Sequence, residues 1–292
     1  MRRTYLFGLS LLLAIQASGA DRVALVIGNN DYTAEGNFPD LNNCRNDAAL
    51  VKDSLERAGF TVIHLEDADW QRMDEGLANF ENAISKGGTA VFYFAGHGIE
   101  FEGKNYLMGT NARLQARSRL GQEGYDAETV AQAMLLAGAG SSFLFLDCCR
   151  EVPGDAAWLS RGTKKRGLAD LKIVGDILIC FAATPGQAAL DAPAETVTGV
   201  SRENSPYAQA LAKAMHSGLD HLAMFQQVRS EVNVLTSGQQ RTWESGSFLE
   251  SFYFTRGSGT GQAKPGPPLT TAKRVQVDPG FGVGGRVQTS YG

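Results

Sequence analysis

Two residues in this sequence have the types and the placement for nucleophilic chemistry. They are His97, held between Gly96 and Gly98, and Cys149, at the end of Asp147-Cys148-Cys149. A thiol becomes an effective nucleophile when a neighbouring base takes its proton or when the site lowers its pKa. Each of the two residues closes an apolar run, Val91-Phe92-Tyr93-Phe94 for the histidine and Phe143-Leu144-Phe145-Leu146 for the cysteine, and 52 positions separate them. If those runs are adjacent strands, thiol and imidazole meet over one sheet edge. Glycine at 96 and 98 lets the backbone approach a substrate closely, and the N–H groups of Gly98 and Cys149 are candidate oxyanion donors. Neither a lone G-H-G nor a lone strand-end cysteine is specific; their joint placement is.

The elements that must position this pair alternate along the chain. Apolar runs at 23–28, 60–65, 89–94, 142–146 and 177–182 read as strands buried on both faces. Helical spacing over 46–58, 70–84, 127–136, 206–215 and 222–235 fills the intervals, with Ser205 as an N-cap and Gly59 as a C-terminal stop. A polar hairpin over 99–107 turns at Glu102-Gly103-Lys104, and 248–254 reads as a last strand. Such alternation predicts an α/β fold with a mostly parallel central sheet and helices on both faces. Chemistry in such sheets sits at the carboxyl ends of the strands, which is where His97 and Cys149 fall.

With these residues in view, the sequence resembles the caspase-like cysteine peptidases, most of all the bacterial relatives of metacaspases and paracaspases. The resemblance rests on Val23-Ala24-Leu25-Val26-Ile27-Gly28-Asn29, Asn46-Asp47-Ala48, Phe94-Ala95-Gly96-His97-Gly98, Asn105-Tyr106-Leu107 and Asp147-Cys148-Cys149-Arg150. It continues through Ala182-Ala183-Thr184-Pro185-Gly186-Gln187, Asn204-Ser205-Pro206-Tyr207 and Gln239-Gln240-Arg241-Thr242-Trp243. It implies a caspase-like sandwich over 21–255: a large-subunit-like region at 21–150, a linker loop at 151–175 and a small-subunit-like region at 176–255. By the family pattern Cys149 is the nucleophile, because Asp147 sits two positions before it, and Cys148 points the other way if the strand continues. His97 is then the base that takes the thiol proton and returns one to the leaving amine. No Asp or Asn orienter is apparent, so the expectation is a His–Cys dyad.

The same resemblance speaks to substrate. Asp147 stands where aspartate-cutting caspases have a glutamine, Asp191 stands where they have an arginine, and Asp47 matches an acidic pocket residue of metacaspases and paracaspases. Three carboxylates in a narrow pocket attract Lys or Arg and repel an acid. The expected activity is therefore endopeptidase cleavage after Arg or Lys in protein or peptide substrates. The competing reading of Asp47 is an exposed first-turn carboxylate at a helix N-terminus, and that of Asp191 is a plain loop carboxylate. The basic run Arg161-Gly162-Thr163-Lys164-Lys165-Arg166 is either a solvated loop or a site of self-processing after Lys164, Lys165 or Arg166. No cofactor is required by this chemistry and no metal ligands are assigned; calcium activation, known for many metacaspases, finds no acidic cluster to place it.

The remaining features set limits. The 292 residues carry 27 Lys+Arg and 31 Asp+Glu, a net charge of −4, which argues against nucleic acid as a partner. Four cysteines are too few for a disulfide scaffold and lack C-x2-C spacing; Cys44 and Cys180 read either as small buried hydrophobes or, in an oxidising compartment, as a bonded pair. His64, His216 and His221 read as ordinary histidines. Arg2-Arg3, an apolar stretch over 5–15 and small residues at Ser18 and Ala20 form the pattern of a cleaved signal peptide over 1–20. A periplasmic or secreted protein with no membrane attachment after cleavage is expected. Residues 256–292 form a Gly/Pro-rich tail, with nine Gly and four Pro from 257 on, that reads as disordered. Two other classes compete with the peptidase: a catalytically silent interaction module of the same fold, and a nucleotide-binding α/β protein. The second lacks both G-x-x-x-x-G-K-[ST] and a G-x-G-x-x-G opening its first helix.

Overall fold

The apolar runs become the strands of one twisted sheet in a computed structural model that describes residues 20–149, 175–184, 189–248 and 250–255. The elements in order are β1 (Ala20–Gly28), α1 (Cys44–Arg57), β2 (Thr61–Glu66), α2 (Trp70–Ala83), β3 (Ile84–Phe101), β4 (Lys104–Met108) and the short α3 (Leu120–Glu123). They continue with β5 (Gly124–Asp126), α4 (Ala127–Leu136), β6 (Ser141–Cys149), β7 (Ile177–Phe181), α5 (Pro206–Ala214), α6 (His221–Leu235) and β8 (Trp243–Ser247). All described residues fall in one unit, Met1–Gly257; a second unit, Ser258–Gly292, lies outside them. The signal-like 1–19, the linker stretch 150–174 with its basic run, and the tail from 256 also lie outside the described residues.

The main sheet runs β2-β1-β3-β6-β7-β8. Its first five strands are parallel, and β8 closes the edge antiparallel to β7. Strand order reverses direction between β1 and β3, and in such sheets the crevice at that switch is where ligands bind. Side chains alternate in facing. Val26, Tyr93, Phe145 and Cys180 share one face with α1, α5 and α6, while Leu25, Phe92, Leu144 and Ile179 share the other with α2 and α4. This is the α/β sandwich with a mostly parallel sheet that the sequence implies. Ser205 caps α5 as read, accepting from Ala208 N–H at 2.9 Å, and the structure adds Asp69, Asp126 and Asp220 as caps of α2, α4 and α6. Gly28 is demanded by space, since a Cβ there would lie 2.3 Å from the Cys44 carbonyl oxygen. Its bareness lets α1 start directly against the end of β1. No helix among the described residues is long and apolar enough to cross a membrane.

The last strand departs from the sequence reading. It is Trp243–Ser247, not 248–254. The aromatic run there looks like a buried strand, but its rings serve another purpose. Phe248, Phe252 and Phe254 all close on Phe143, with ring centroids 4.9, 4.7 and 5.0 Å away, and so cap one face of the sheet. The actual strand is polar because it is a half-exposed edge. The hairpin forms as read: Phe101 pairs with Lys104 around Glu102 and Gly103, both at positive φ (51° and 81°).

Candidate active site

His97 and Cys149 are register partners on the adjacent parallel strands β3 and β6. Their backbones therefore stand side by side, about 4.8 Å apart, at the carboxyl edge. Gly98 follows, opposite Leu107 of β4. Cys148 is buried in the opposite core with Leu144 and Leu146, away from the face that carries Asp147.

The imidazole of His97 is wholly buried and fixed from several sides. The loop 29–43 after β1 folds over it, placing the Tyr32 ring edge-on at 4.6 Å and the Phe38 ring at 5.0 Å. The His97 N–H donates to Tyr32 Oη at 3.0 Å, which itself donates to the Met108 carbonyl at 3.2 Å. His97 Nε2 lies 2.8 Å from the Pro39 carbonyl oxygen. A carbonyl only accepts, so Nε2 carries the proton and Nδ1 is the basic nitrogen of the neutral ring. Asp40 knots the loop by accepting from the N–H groups of Thr33 and Tyr32, which hold its carboxyl below the usual range. Gly96 is a glycine for a reason different from the one read in sequence. A Cβ there would meet Tyr32 Oη at 2.6 Å and the Phe94 ring at 2.8 Å, so it makes room for the histidine's support rather than for substrate.

The three expected carboxylates converge. Asp47, in the first turn of α1, is 1% exposed rather than solvated, and its Oδ1 accepts from Ser205 N–H at 2.8 Å and Asn204 Nδ2 at 3.1 Å. Asp147, on β6, is 6% exposed, and its Oδ2 accepts from Ser205 Oγ at 2.5 Å and Tyr93 Oη at 3.1 Å. Asp191 is half-buried in the loop after β7, where its main-chain carbonyl accepts from Asn43 Nδ2 at 2.6 Å. Burial, and then the charge of Asp147, push Asp47 up to about 8, with Asp191 adding to the rise. Burial pushes Asp147 up to about 6, against the lowering by Ser205 and Tyr93, and the Asp191 charge again adds. Two buried carboxylates raised in this way and bridged by one serine mark a candidate functional site.

Two of the other histidines have structural partners. His216 Nε2 lies 3.0 Å from Ser54 Oγ, tying α5 to α1, and His221 Nδ1 accepts from Phe252 N–H at 3.1 Å. Cys44 and Cys180 are buried, as read. Sequence reasoning missed Tyr32, Pro39, Asn204 and Tyr93 as supports, and saw Ser205 only as a cap. Tyr93 left one signal, a hydroxyl inside an otherwise apolar strand. The Pro39 carbonyl left none, because any residue carries one.

Comparison with known proteins gives the family. The family model described as "Caspase domain" matches residues 21–253. The chain is also 27% identical over 136 residues to human "Mucosa-associated lymphoid tissue lymphoma translocation protein 1", and equally to its mouse homolog. That stretch is 47% of this chain and 16% of each relative, so the chain spans only a small part of their length. The family match runs from β1 into the aromatic cap and takes in both residues paired at the carboxyl edge, and on that ground this chain belongs to the caspase-domain family.

Proposed function

We propose that this protein is a cysteine endopeptidase that cleaves after Arg or Lys. Cys149 is the nucleophile; His97 Nδ1 takes its proton, and the Cys149 sulfur attacks the scissile carbonyl carbon. The proton passes to the leaving amine, and water then hydrolyses the thioester. The N–H groups of Gly98 and Cys149 receive the oxyanion. The Pro39 carbonyl plays the orienting part that Asp or Asn plays in triads, holding the ring in the tautomer that presents Nδ1. One observation carries the reading: Asp47, Asp147 and Asp191 converge beside the strand end that bears Cys149. An arginine or lysine side chain is the substrate group that such a pocket stabilises and an aspartate is the one it repels.

The basic run at 161–166 matches that specificity, and cleavage there by the enzyme itself is part of the proposal. The signal-like N-terminus supports an exported enzyme acting on proteins in the periplasm or outside the cell. No cofactor enters the reaction; titrating calcium and chelator into the assay decides whether calcium regulates it. The test is hydrolysis of peptides bearing a fluorophore after Arg, Lys or Asp. Turnover after Arg or Lys that disappears in Cys149→Ala is the expected result. Absence of turnover on all three, with binding of folded partner proteins instead, would favour the silent interaction module. A gel comparison of wild type with Cys149→Ala reads self-processing, and identical intact bands overturn that part.

A further inference from the structure

Ser205 serves both acids at once. Its N–H donates to Asp47 Oδ1 at 2.8 Å and its hydroxyl donates to Asp147 Oδ2 at 2.5 Å. The two oxygens therefore lie within about 9 Å of each other, across the span of one serine. The same hydroxyl accepts from Ala208 N–H at 2.9 Å, so the start of α5 fixes its direction and its single proton goes to Asp147. Tyr93 Oη and Asn204 Nδ2 add one donor to each of those clamped oxygens. The other two oxygens, Asp47 Oδ2 and Asp147 Oδ1, accept no hydrogen bond among the described residues.

Among the described residues these acids have no counter-charge. The ionisable groups that act on them are Asp191 from the loop after β7, Tyr93 from β3 and Tyr207 from α5; Cys44 of α1 acts on Tyr93 in turn. Among the described residues, no Lys, Arg or His side chain forms an ion pair with either acid. Two buried carboxylates cannot both stay ionised and unpaired; desolvation and mutual repulsion retain a proton until a cation arrives.

We propose that the pocket works by exchange: in the empty enzyme Asp47 and Asp147 hold one proton between them, and the cationic side chain of the substrate replaces it, releasing that proton to solvent. The inference rests on the Arg/Lys reading above. Charge balances, since one positive charge enters as one leaves. The raised titration of both acids, about 8 for Asp47 and about 6 for Asp147, places the exchange around neutral pH. Ser205 and Tyr93 are positioning residues: by donating to Asp147 they favour its ionised form and leave Asp47 as the seat of the proton. Substrate binding then carries a pH dependence of its own, separate from that of His97. Affinity for an arginine peptide falls up to about tenfold per pH unit on going from 8 to 6.

Calorimetry on full-length Cys149→Ala tests this at pH 7, with a peptide containing one arginine, in buffers of different ionisation enthalpy. The observed binding enthalpy should vary linearly with the buffer's ionisation enthalpy, with a slope of about one proton released. The same peptide with citrulline in place of arginine should bind more weakly and release none. Arginine-peptide binding with zero slope overturns the exchange and leaves the Arg/Lys reading standing. An arginine peptide that binds no better than its citrulline twin overturns the Arg/Lys reading itself, and the exchange with it. Tyr93→Phe should move the midpoint of the affinity–pH curve upward, and Ser205→Ala, which removes the other hydroxyl donor to Asp147 but keeps the N–H to Asp47, supplies the same readout should Tyr93→Phe fail to fold. An unmoved midpoint in the folded variant overturns the positioning role.

Discussion

Asp47→Asn is the sharpest single perturbation of the pocket. Asparagine is nearly the same shape, and its carbonyl oxygen can keep both donors, Ser205 N–H and Asn204 Nδ2. What is lost is the negative charge that this buried carboxyl, 1% exposed, takes on when a cationic side chain displaces its proton. Removing one member of a buried, hydrogen-bonded charge pair costs about 2–5 kcal/mol. That corresponds to a fall of about 30-fold to several thousandfold in kcat/KM on arginine substrates. The citrulline analogue, which never made the ion pair, should change by less than about threefold, so the Arg/citrulline ratio isolates the charge. Stability supplies an independent readout. The folded state holds the Asp47 proton up to about pH 8, whereas an unfolded chain loses it near pH 4. The wild type therefore loses stability as pH rises between those values, by up to about 1.4 kcal/mol per pH unit, or roughly 2–4 °C in Tm for each kcal/mol. The asparagine side chain does not titrate, so the Tm of the variant minus that of wild type should grow more positive from pH 5 to pH 8. An unchanged Arg/citrulline ratio, together with a Tm difference that is flat with pH, would refute the reasoning.

Three further outcomes follow from the geometry. Cys148→Ala should keep at least about half of wild-type kcat on an arginine peptide while lowering Tm modestly through a small cavity; Cys149→Ala should leave Tm close to wild type and abolish turnover, and the reverse pattern would exchange the two cysteines' roles. Tyr32→Phe removes the acceptor of His97 N–H and the donor to Met108 O while keeping the ring; kcat should fall about tenfold with KM little changed, as measured by steady-state kinetics, because only the seating of the base is disturbed. Arg22 donates to the carbonyls of Ala58, Tyr253 and Phe254 and stacks over Phe60 and Phe252; Arg22→Ala should cost about 2–3 kcal/mol in chemical denaturation and raise protease sensitivity near residue 253, with kcat/KM per folded molecule unchanged.

Much of the site is legible along the chain because its parts sit at punctuation points. A buried parallel strand reads as an unbroken apolar run, and a polar or reactive residue at its end is conspicuous. His97, Asp147 and Cys149 all stand out this way. The helices are legible from period and caps, which their tertiary packing did not override. The aromatic stretch at 248–254 misled because hydrophobicity reports burial and not backbone pairing. Phenylalanines that plug a face and phenylalanines in a core strand look alike in sequence, and a half-exposed edge strand such as 243–247 looks like a loop.

By itself, then, the sequence determined the sheet type, the strand ends that carry His97 and Cys149, and the family to which they point. Those properties follow from side-chain chemistry and local periodicity. Only the tertiary structure decided that His97 Nε2 is held by a backbone carbonyl, that Gly96 makes room for Tyr32, and that one serine bridges Asp47 and Asp147. Those contacts join residues up to 158 positions apart. Several of them use main-chain atoms, which every residue has and which therefore leave no mark in a sequence until the fold brings them together.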